Sequence, residues 1–274
     1  MKMISVILAS VLAFFSSTYV ELIGIRQSGE PGTGGPKKYF TLSFDDGITQ
    51  DYELMKICRK YNYHGITFNI NTGLCGANWD WVGGAIGSPS TTHIRLTKDE
   101  IKNGAYDGFD LAVHTLTHPS MKKFDSNPLG LWREVQKDAF NIYRWTGTMP
   151  VGMAWPGGDT EYTETTMEYV RKYTTIRYAR AVTSTYNFSI PTEFLKWQPT
   201  CSITDEKVLE LAKQFLEADC SEDMLFYVWG HAYELEAFDK YPVVEELIRM
   251  MSESEDVVCV SNTEFYNMFG EKAQ

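Results

Sequence analysis

Short apolar runs alternate with amphipathic stretches along most of the chain, from about residue 38 to residue 270. Apolar runs of strand length predict strands at 39–44, 65–70, 109–113, 151–155, 176–182, 224–230 and 256–260. Apolar residues at helical spacing predict helices at 49–61, 97–106, 127–146, 161–173, 204–219, 241–252 and 262–269. Thr49 is the predicted cap of the first helix. Thr97 and Glu100 have the spacing of a capping box at the start of the second.

The alternation of strands and helices predicts a parallel sheet or barrel whose strands are joined by crossover helices. The chain shows no internal repeat after residue 36. Polar residues suited to catalysis directly follow several predicted strands. Because active-site residues collect at the carboxyl ends of barrel strands, the pattern favours an α/β barrel of about seven parallel strands over a doubly wound sheet.

The first residues differ from the rest of the chain. Lys2 is followed by an apolar run to Phe15, which resembles a secretory signal and is too short for a comfortable membrane span. The alternative is a strand or helix that packs on the domain. The Gly/Pro-rich stretch at 29–38 has the composition of a linker. We predict a signal segment and linker at 1–36 and a single domain at 37–274. The location would be secreted, periplasmic or cell-envelope, or cytoplasmic if the segment is not a signal.

Composition narrows the possible functions. The 274 residues are 43% apolar, enough for one sizeable core. The net charge of −11 disfavours a nucleic-acid partner. After removal of the signal we expect no stable membrane span. The five cysteines form no CxxC pair, so neither a zinc cluster nor a disulfide framework is predicted.

Two motifs carry the candidate chemistry. His114 and His118 are four residues apart after one predicted strand, and Asp45 and Asp46 follow another. Two imidazoles one turn apart can share a divalent ion, and a carboxylate would complete a two-histidine, one-carboxylate site. One aspartate would bind the metal and the other would act as a base, although Asp-Asp-Gly also suits a plain turn. Two other histidines lack such a pattern and are predicted to be solvated: His64 and His93.

Four motifs occur in an informative order. They are SFDDG at 43–47, HTLTH at 114–118, AWPGG at 154–158 and VWGHAYE at 228–234. In this order they resemble the motifs of NodB-type polysaccharide deacetylases, carbohydrate esterase family four. The resemblance extends over about residues 38 to 270. It implies a distorted (β/α) barrel and hydrolysis of acetyl groups on a glycan substrate.

The resemblance also implies a role for each motif residue. Asp45 would be the general base. Asp46, His114 and His118 would bind one divalent metal ion, for which zinc suits the donors and cobalt, nickel or iron also fit. His231 would be the general acid. This division is chemically sound, because the metal polarises the acetyl carbonyl, the carboxylate removes a water proton and the imidazole protonates the leaving group.

The chain departs from the family pattern at two points. Ala154 stands where the third motif has an arginine that steadies the base. Arg180, at the end of the next predicted strand, could take over this role, and the alternative is that it forms a surface ion pair. The fourth-motif aspartate that partners the acid histidine has no clear match. Three acidic residues are candidates to replace it: Asp159, Glu193 and Glu234.

Further residues are predicted to line the substrate groove. Trp155 follows a predicted strand and could form a wall of the groove, although a core position is the alternative. Pro156 and Gly157 form the turn after it. Trp197 matches a motif tryptophan by position only, and Tyr233 follows the predicted acid.

Three functions compete. The first is removal of acetyl groups from an amino sugar or an acetylated polysaccharide. The second is hydrolysis of a non-carbohydrate amide or cyclic imide by the same fold. The third is glycan binding without catalysis. The joint presence of base, acid and metal ligands argues against the third, because a binding module needs neither acid nor base.

Overall fold

The computed structural model describes residues 35–270. Strand β1 (Lys38–Asp46) lies at the centre of its sheet and is buried at all nine positions. The described part of the chain contributes seven more strands: β2 (Ile66–Ile70), β3 (Asp110–Val113), β4 (Gly152–Ala154), β5 (Tyr178–Arg180), β6 (Cys201–Ser202), β7 (Met224–His231) and β8 (Val257–Cys259). The seven predicted strands are confirmed. The two-residue β6 is too short to show a pattern in the sequence.

The strands follow the order β5-β4-β3-β2-β1-β7-β6, and β8 pairs with the start of β1. All pairings between these strands are parallel. β1 pairs with β7 from residue 38 to residue 45 and with β2 from residue 42 to residue 46. The sheet curls into a distorted (β/α) barrel, and the predicted fold class is confirmed. The carboxyl ends of β1, β2 and β7 therefore lie side by side.

Helices connect the strands: α1 (Asp51–Lys60), α2 (Trp81–Ala85), α3 (Lys98–Lys102), α4 (Pro128–Thr146), α5 (Glu164–Tyr173), α6 (Val208–Glu217), α7 (Ala232–Ala237), α8 (Tyr241–Ser252) and α9 (Asn262–Phe269). The predicted capping box of Thr97 and Glu100 is present. The predicted cap at Thr49 is wrong, because α1 begins after Gln50. Asp51, inside the first turn, accepts the backbone N–H of Ile48 at 3.1 Å. The sequence patterns missed α2 and α7, which are one to two turns long.

The two faces of β1 have different environments. Phe40, Leu42 and Phe44 belong to the main apolar core, which also includes residues of the surrounding helices. The alternate residue Tyr39 belongs to a second cluster. Because side chains alternate along a strand, Asp45 lies on the same face as Tyr39. Asp45 is thus directed away from the main core.

The predicted signal segment and most of the linker lie outside the described residues, and they stay predictions. No helix within residues 35–270 is long and apolar enough to cross a membrane.

Candidate active site

The Asp-Asp-Gly sequence ends β1 in a tight left-handed turn. Asp46 has φ of 81° and Gly47 has φ of 65°. This conformation is uncommon for an aspartate and easy for glycine. A side chain at Gly47 would also approach Ile70 to 2.9 Å. The turn directs two adjacent carboxylates to different partners at the carboxyl end of the strand.

Asp45 is held by two donors. Asn69, its neighbour in register on β2, donates from Nδ2 to Oδ1 at 2.9 Å. The guanidinium of Arg180 donates to Oδ2. Arg180 pairs in register with Ala154, so it lies one strand away from the position of the absent motif arginine. Its guanidinium also lies over the ring of Trp229 at 4.4 Å. The alternative of a surface ion pair is excluded by the complete burial of Arg180.

His231 faces Asp45 from the end of β7. Its Nε2 lies 4.0 Å from Oδ2 of Asp45. Its Nδ1 donates to Oε2 of Glu234 at 3.2 Å, and the same oxygen accepts the backbone N–H of His231 at 2.8 Å. Burial opposes the charged imidazole, but the Glu234 carboxylate, with smaller contributions from the two aspartates, raises the pKa of His231 to about 9.

Of the three acidic residues considered as partners for His231, the structure places Glu234 there. Glu193 instead pairs with Arg171 at 3.1 Å. Asp159 accepts the backbone N–H groups of residues 182 and 183. The partner of His231 therefore comes from the first turn of α7, a helix that the sequence pattern missed.

Asp46, His114 and His118 form the candidate metal site. Their potential ligand atoms all lie within 4.8 Å of one another. The two histidines do not share a helical turn as the spacing predicts. They lie in an irregular turn after β3, with positive φ at Thr115 and His118. The reversal of the chain at Thr115 brings the two rings to a centroid distance of 4.8 Å.

The donor set fits a divalent cation. Nδ1 of His114 donates to the Ala154 carbonyl at 3.0 Å, so the lone pair is on Nε2. That Nε2 is buried and has no hydrogen-bond partner among the described residues. Burial, partly offset by nearby Asp45, lowers the pKa of His114 to about 4, so the ring is neutral at pH 7. A neutral imidazole with a fixed tautomer and an unused buried lone pair is what a metal ligand requires.

Asp46 has two partners that the motifs do not reveal. His93 donates from Nε2 to Oδ2 at 3.0 Å, and Arg95 donates from Nη2 to Oδ1 at 2.8 Å. The prediction of a solvated His93 is wrong, because the residue is only 1% exposed. Burial opposes ionisation of Asp46, but the hydrogen bond from His93 and nearby cationic groups hold its pKa well below the usual range. His64 is exposed, as predicted.

The sequence around His93 and Arg95 contains a pattern that could have indicated their shared orientation. His93 and Arg95 alternate with Ile94 and Leu96. In an extended segment, residues two apart share one face. The segment is extended here, since residues 94 and 95 form antiparallel bridges to residues 78 and 48. A sequence pattern cannot show which carboxylate the polar face will meet.

The structure differs from the prediction for two tryptophans of the substrate groove. Trp155 is 1% exposed, stacks on Tyr162 and donates its indole N–H to the Leu195 carbonyl at 2.9 Å. Trp197 is fully buried and stacks on Phe265. Both are core residues, because the segment that contains Trp197 pairs with strand β5 and its Leu195 carbonyl accepts the indole N–H of Trp155.

The other three predicted groove residues have different surroundings. Pro156 is buried and Gly157 is exposed, in a turn with φ of 73° at the glycine. Tyr233 lies beside the site. Its ring stacks on His231 at 4.9 Å and is 5.2 Å from the ring of His93. Tyr233 therefore contacts both His231 and His93, the partner of Asp46.

A family model described as polysaccharide deacetylase matches residues 32–178, more than half of the 274 residues. The chain belongs to the polysaccharide deacetylase family. The resemblance inferred from the four motifs is thereby confirmed. The chain has no significant match among curated protein sequences.

Two solved structures of low sequence identity share the fold of this chain, and a third is similar over part of it. A putative polysaccharide deacetylase from Mycobacterium smegmatis is 14% identical, covers 89% of this chain and 93% of its own, and has a TM-score of 0.55. A family 4 carbohydrate esterase from Streptomyces lividans, in complex with acetate, is 12% identical. The match covers 81% of this chain and 91% of that protein, and its TM-score is 0.50. The deacetylase PplD from Streptococcus pyogenes is 22% identical. The match covers 58% of this chain and 62% of that protein, and its TM-score is 0.43.

Proposed function

We propose that this protein is a metal-dependent hydrolase that removes acetyl groups from an N- or O-acetylated carbohydrate. One geometric relation supports the proposal most directly. Oδ2 of Asp45 lies 3.8 Å from Nε2 of His114 and 4.0 Å from Nε2 of His231. A base thus stands between a metal ligand and a potential acid, as hydrolysis of an acetyl group requires.

The metal would be held by Asp46, His114 and His118, with His93 and Arg95 orienting the carboxylate. When bound, a divalent ion supplies Lewis acidity toward the acetyl carbonyl and toward water. Two imidazoles and one carboxylate suit zinc, and cobalt, nickel or iron fit the same donors.

The residues of the chain supply the proton transfers. Asp45 accepts a proton from water while the water oxygen bonds to the acetyl carbon. The bond from that carbon to the sugar nitrogen or oxygen then breaks, and His231 gives its proton to the departing atom. Acetate and a free amine or hydroxyl result. Asn69 and Arg180 keep Asp45 in place, and Glu234 keeps His231 protonated at neutral pH.

The contact of Arg180 with Asp45 also bears on the competing functions. The absence of the motif arginine at Ala154 favours the second function, because branches of the family that resemble this chain in lacking it leave room for a non-carbohydrate amide or imide as substrate. Because Arg180 provides the guanidinium from the adjacent strand, this reason disappears. The retained acid and base likewise disfavour a binding module without catalysis. A secreted or cell-envelope location, suggested by the apolar run after Lys2, would suit a glycan substrate.

The test is an acetate-release screen with metal-reconstituted protein on chitin, peptidoglycan and acetylxylan fragments. We expect acetate from at least one of them, loss of activity on chelation and recovery with zinc or cobalt. Asp45→Asn is the matched control, since it retains the metal ligands. Metal-loaded protein that releases no acetate from any of these glycans would contradict the proposal.

A further inference from the structure

The short segment that follows β2 packs against the turn that carries His114 and His118. The backbone N–H of Gly73 donates to the Leu116 carbonyl at 3.0 Å. A side chain at Gly73 would meet the same carbonyl oxygen at 2.4 Å, closer than non-bonded atoms approach. The two stretches of backbone are therefore in direct contact, and no residue of the segment 71–73 belongs to the four sequence motifs.

The turn at 114–118, which we call the histidine turn, has a backbone conformation that needs support from its surroundings. Thr115 has φ of 65° and His118 has φ of 54°, both in the left-handed region. A β-branched residue such as threonine rarely occupies this region, and it does so only where neighbouring groups hold it there. Thr115 is completely buried, so these groups belong to the protein. Whatever holds Thr115 also sets the spacing of the two imidazoles.

The side chain of Asn71 holds the histidine turn at this strained residue. Its Nδ2 donates to the Thr115 carbonyl at 2.9 Å and also to the His114 carbonyl, so both amide hydrogens are used. Asn71 is 2% exposed, and water therefore does not compete for these two hydrogen bonds. The hydroxyl of Thr115 in turn accepts the backbone N–H of His118 at 3.1 Å. The constraint on Thr115 thus extends to the second histidine.

The amide oxygen of Asn71 contacts the other half of the candidate metal site. It accepts a hydrogen bond from Nη2 of Arg95 at 3.4 Å, and the same Nη2 donates to Oδ1 of Asp46 at 2.8 Å. Asn71 also directly follows Ile70, which pairs in register with Asp46. One amide group therefore binds the backbone of the histidine turn through its nitrogen and the partner of the Asp46 carboxylate through its oxygen.

We propose that Asn71 is a positioning residue that fixes Asp46 and the histidine turn relative to each other before a metal ion binds. The inference rests on the proposed function, since it takes Asp46, His114 and His118 as the metal ligands. Ligands that are already held at the right spacing bind a metal more tightly, and the groups that hold them contribute about 10–100-fold to affinity. Asn71 differs from His93, which hydrogen-bonds to Asp46, because it acts on both halves of the site.

The test measures zinc affinity by calorimetric titration of Asn71→Ala and Asn71→Asp. Aspartate has the shape of asparagine but no N–H, so it would face the two carbonyls without a donor. We expect both variants to bind zinc at least about tenfold more weakly than the parent. The matched control is Asn141→Ala, because Asn141 donates to the hydroxyl of Thr72 at 2.9 Å rather than to the histidine turn. Parent-like affinity in either Asn71 variant, or an equal loss in the control, would overturn the proposal.

Hydrogen exchange of the metal-free protein distinguishes positioning from a general contribution to stability. Asn71→Ala should speed exchange of the backbone N–H groups of Leu116 and His118 while exchange in α8 stays at the parent rate. An equal increase in the turn and in α8 would overturn the positioning role.

These measurements require no turnover, so the inference and the proposed function can fail separately. Weaker zinc binding by the Asn71 variants supports the inference even if the parent releases no acetate, a result that would contradict only the proposed function. Parent-like zinc binding by these variants would overturn only the inference. A parent that binds neither zinc nor cobalt would overturn both.

Discussion

The guanidinium of Arg180, at the end of β5, donates a hydrogen bond to Oδ2 of Asp45, at the end of β1, and the two side chains are 0% and 3% exposed. The two strands are separated by β4, β3 and β2 in the sheet. A buried ion pair of this kind orients the carboxylate, and removing one partner leaves an uncompensated buried charge. The pair therefore links the stability of the barrel to the position of the base.

Replacing Arg180 should impair both stability and turnover. We expect Arg180→Ala to lower the free energy of unfolding by about 3–5 kcal/mol and acetate release by about a hundredfold. Arg180→Lys, which retains a charge without the guanidinium geometry, should recover stability more than activity. Denaturant unfolding and acetate assays measure the two effects. The matched control is Arg171→Ala, which breaks only an exposed pair with Glu193. Full turnover in Arg180→Ala would contradict the role of this residue.

Replacing Asp45 should abolish the proposed base function without affecting metal binding. Asp45→Asn keeps one acceptor oxygen for only one of its two donors, Asn69 or Arg180, and it cannot take a proton from water. We expect turnover to fall by roughly two to four orders of magnitude while zinc content stays at the parent level. Elemental analysis of the purified variant, beside the acetate assay, checks both parts. Loss of zinc together with activity would assign Asp45 to the metal site instead.

His118 should determine metal affinity. Because loss of a residue that only hydrogen-bonds to a metal ligand changes affinity by about 10–100-fold, we expect loss of the ligand itself in His118→Ala to weaken zinc binding by more than about a hundredfold. His64→Ala, which removes an exposed histidine, is the control and should bind zinc like the parent. Calorimetric zinc titrations give both constants. Parent-like zinc affinity in His118→Ala would exclude His118 as a ligand.

His93 should act on the metal through Asp46. Its Nε2–H holds one oxygen of that carboxylate, so His93→Ala should weaken zinc binding by about 10–100-fold. His93→Gln retains an N–H donor and should recover part of the affinity. A merely structural role would instead lower the thermal stability of the metal-free protein by the same amount in both variants. Zinc titration and thermal unfolding of the metal-free protein distinguish these outcomes.

The pH dependence of turnover should report the contact between His231 and Glu234. A general acid must be protonated, and the pKa of His231 is raised to about 9, so kcat/KM should fall as pH rises through about 9. In Glu234→Gln the carboxylate that contributes most to raising the pKa of His231 against the effect of burial is lost. The alkaline limb should then move down by at least about one pH unit, toward the ordinary value near 6.5.

The control for this shift is Glu193→Gln, which removes an exposed carboxylate paired with Arg171. Its pH profile should match that of the parent. An alkaline limb that stays in place in Glu234→Gln would mean that another group donates the proton. A rise in activity with pH through 9 would contradict an acid role for His231 altogether.

Local pattern predicted the elements that are long and regular. α4, α8 and α9 carry a repeated apolar face, and their predicted bounds lie within one residue of the observed ones. α2 and α7 have only five and six residues, too few to show a period. α7 carries Glu234 and Tyr233, which contact His231, so one of the two missed helices supplies residues of the candidate site.

The sequence alone predicted the order of strands and helices and the barrel class. It also predicted the set of motif residues at the strand ends. These features follow from periodicities and spacings within the chain. Which residues meet across the barrel depended on the tertiary structure. Arg180 reaches Asp45 because the sheet curls, and His93 reaches Asp46 because an extended segment bridges to the turn after β1. The burial of Trp155 and Trp197 also depended on the tertiary structure, because it results from the pairing of the segment around Trp197 with strand β5. Such contacts join residues from 40 to 135 positions apart, a separation over which no local pattern carries information.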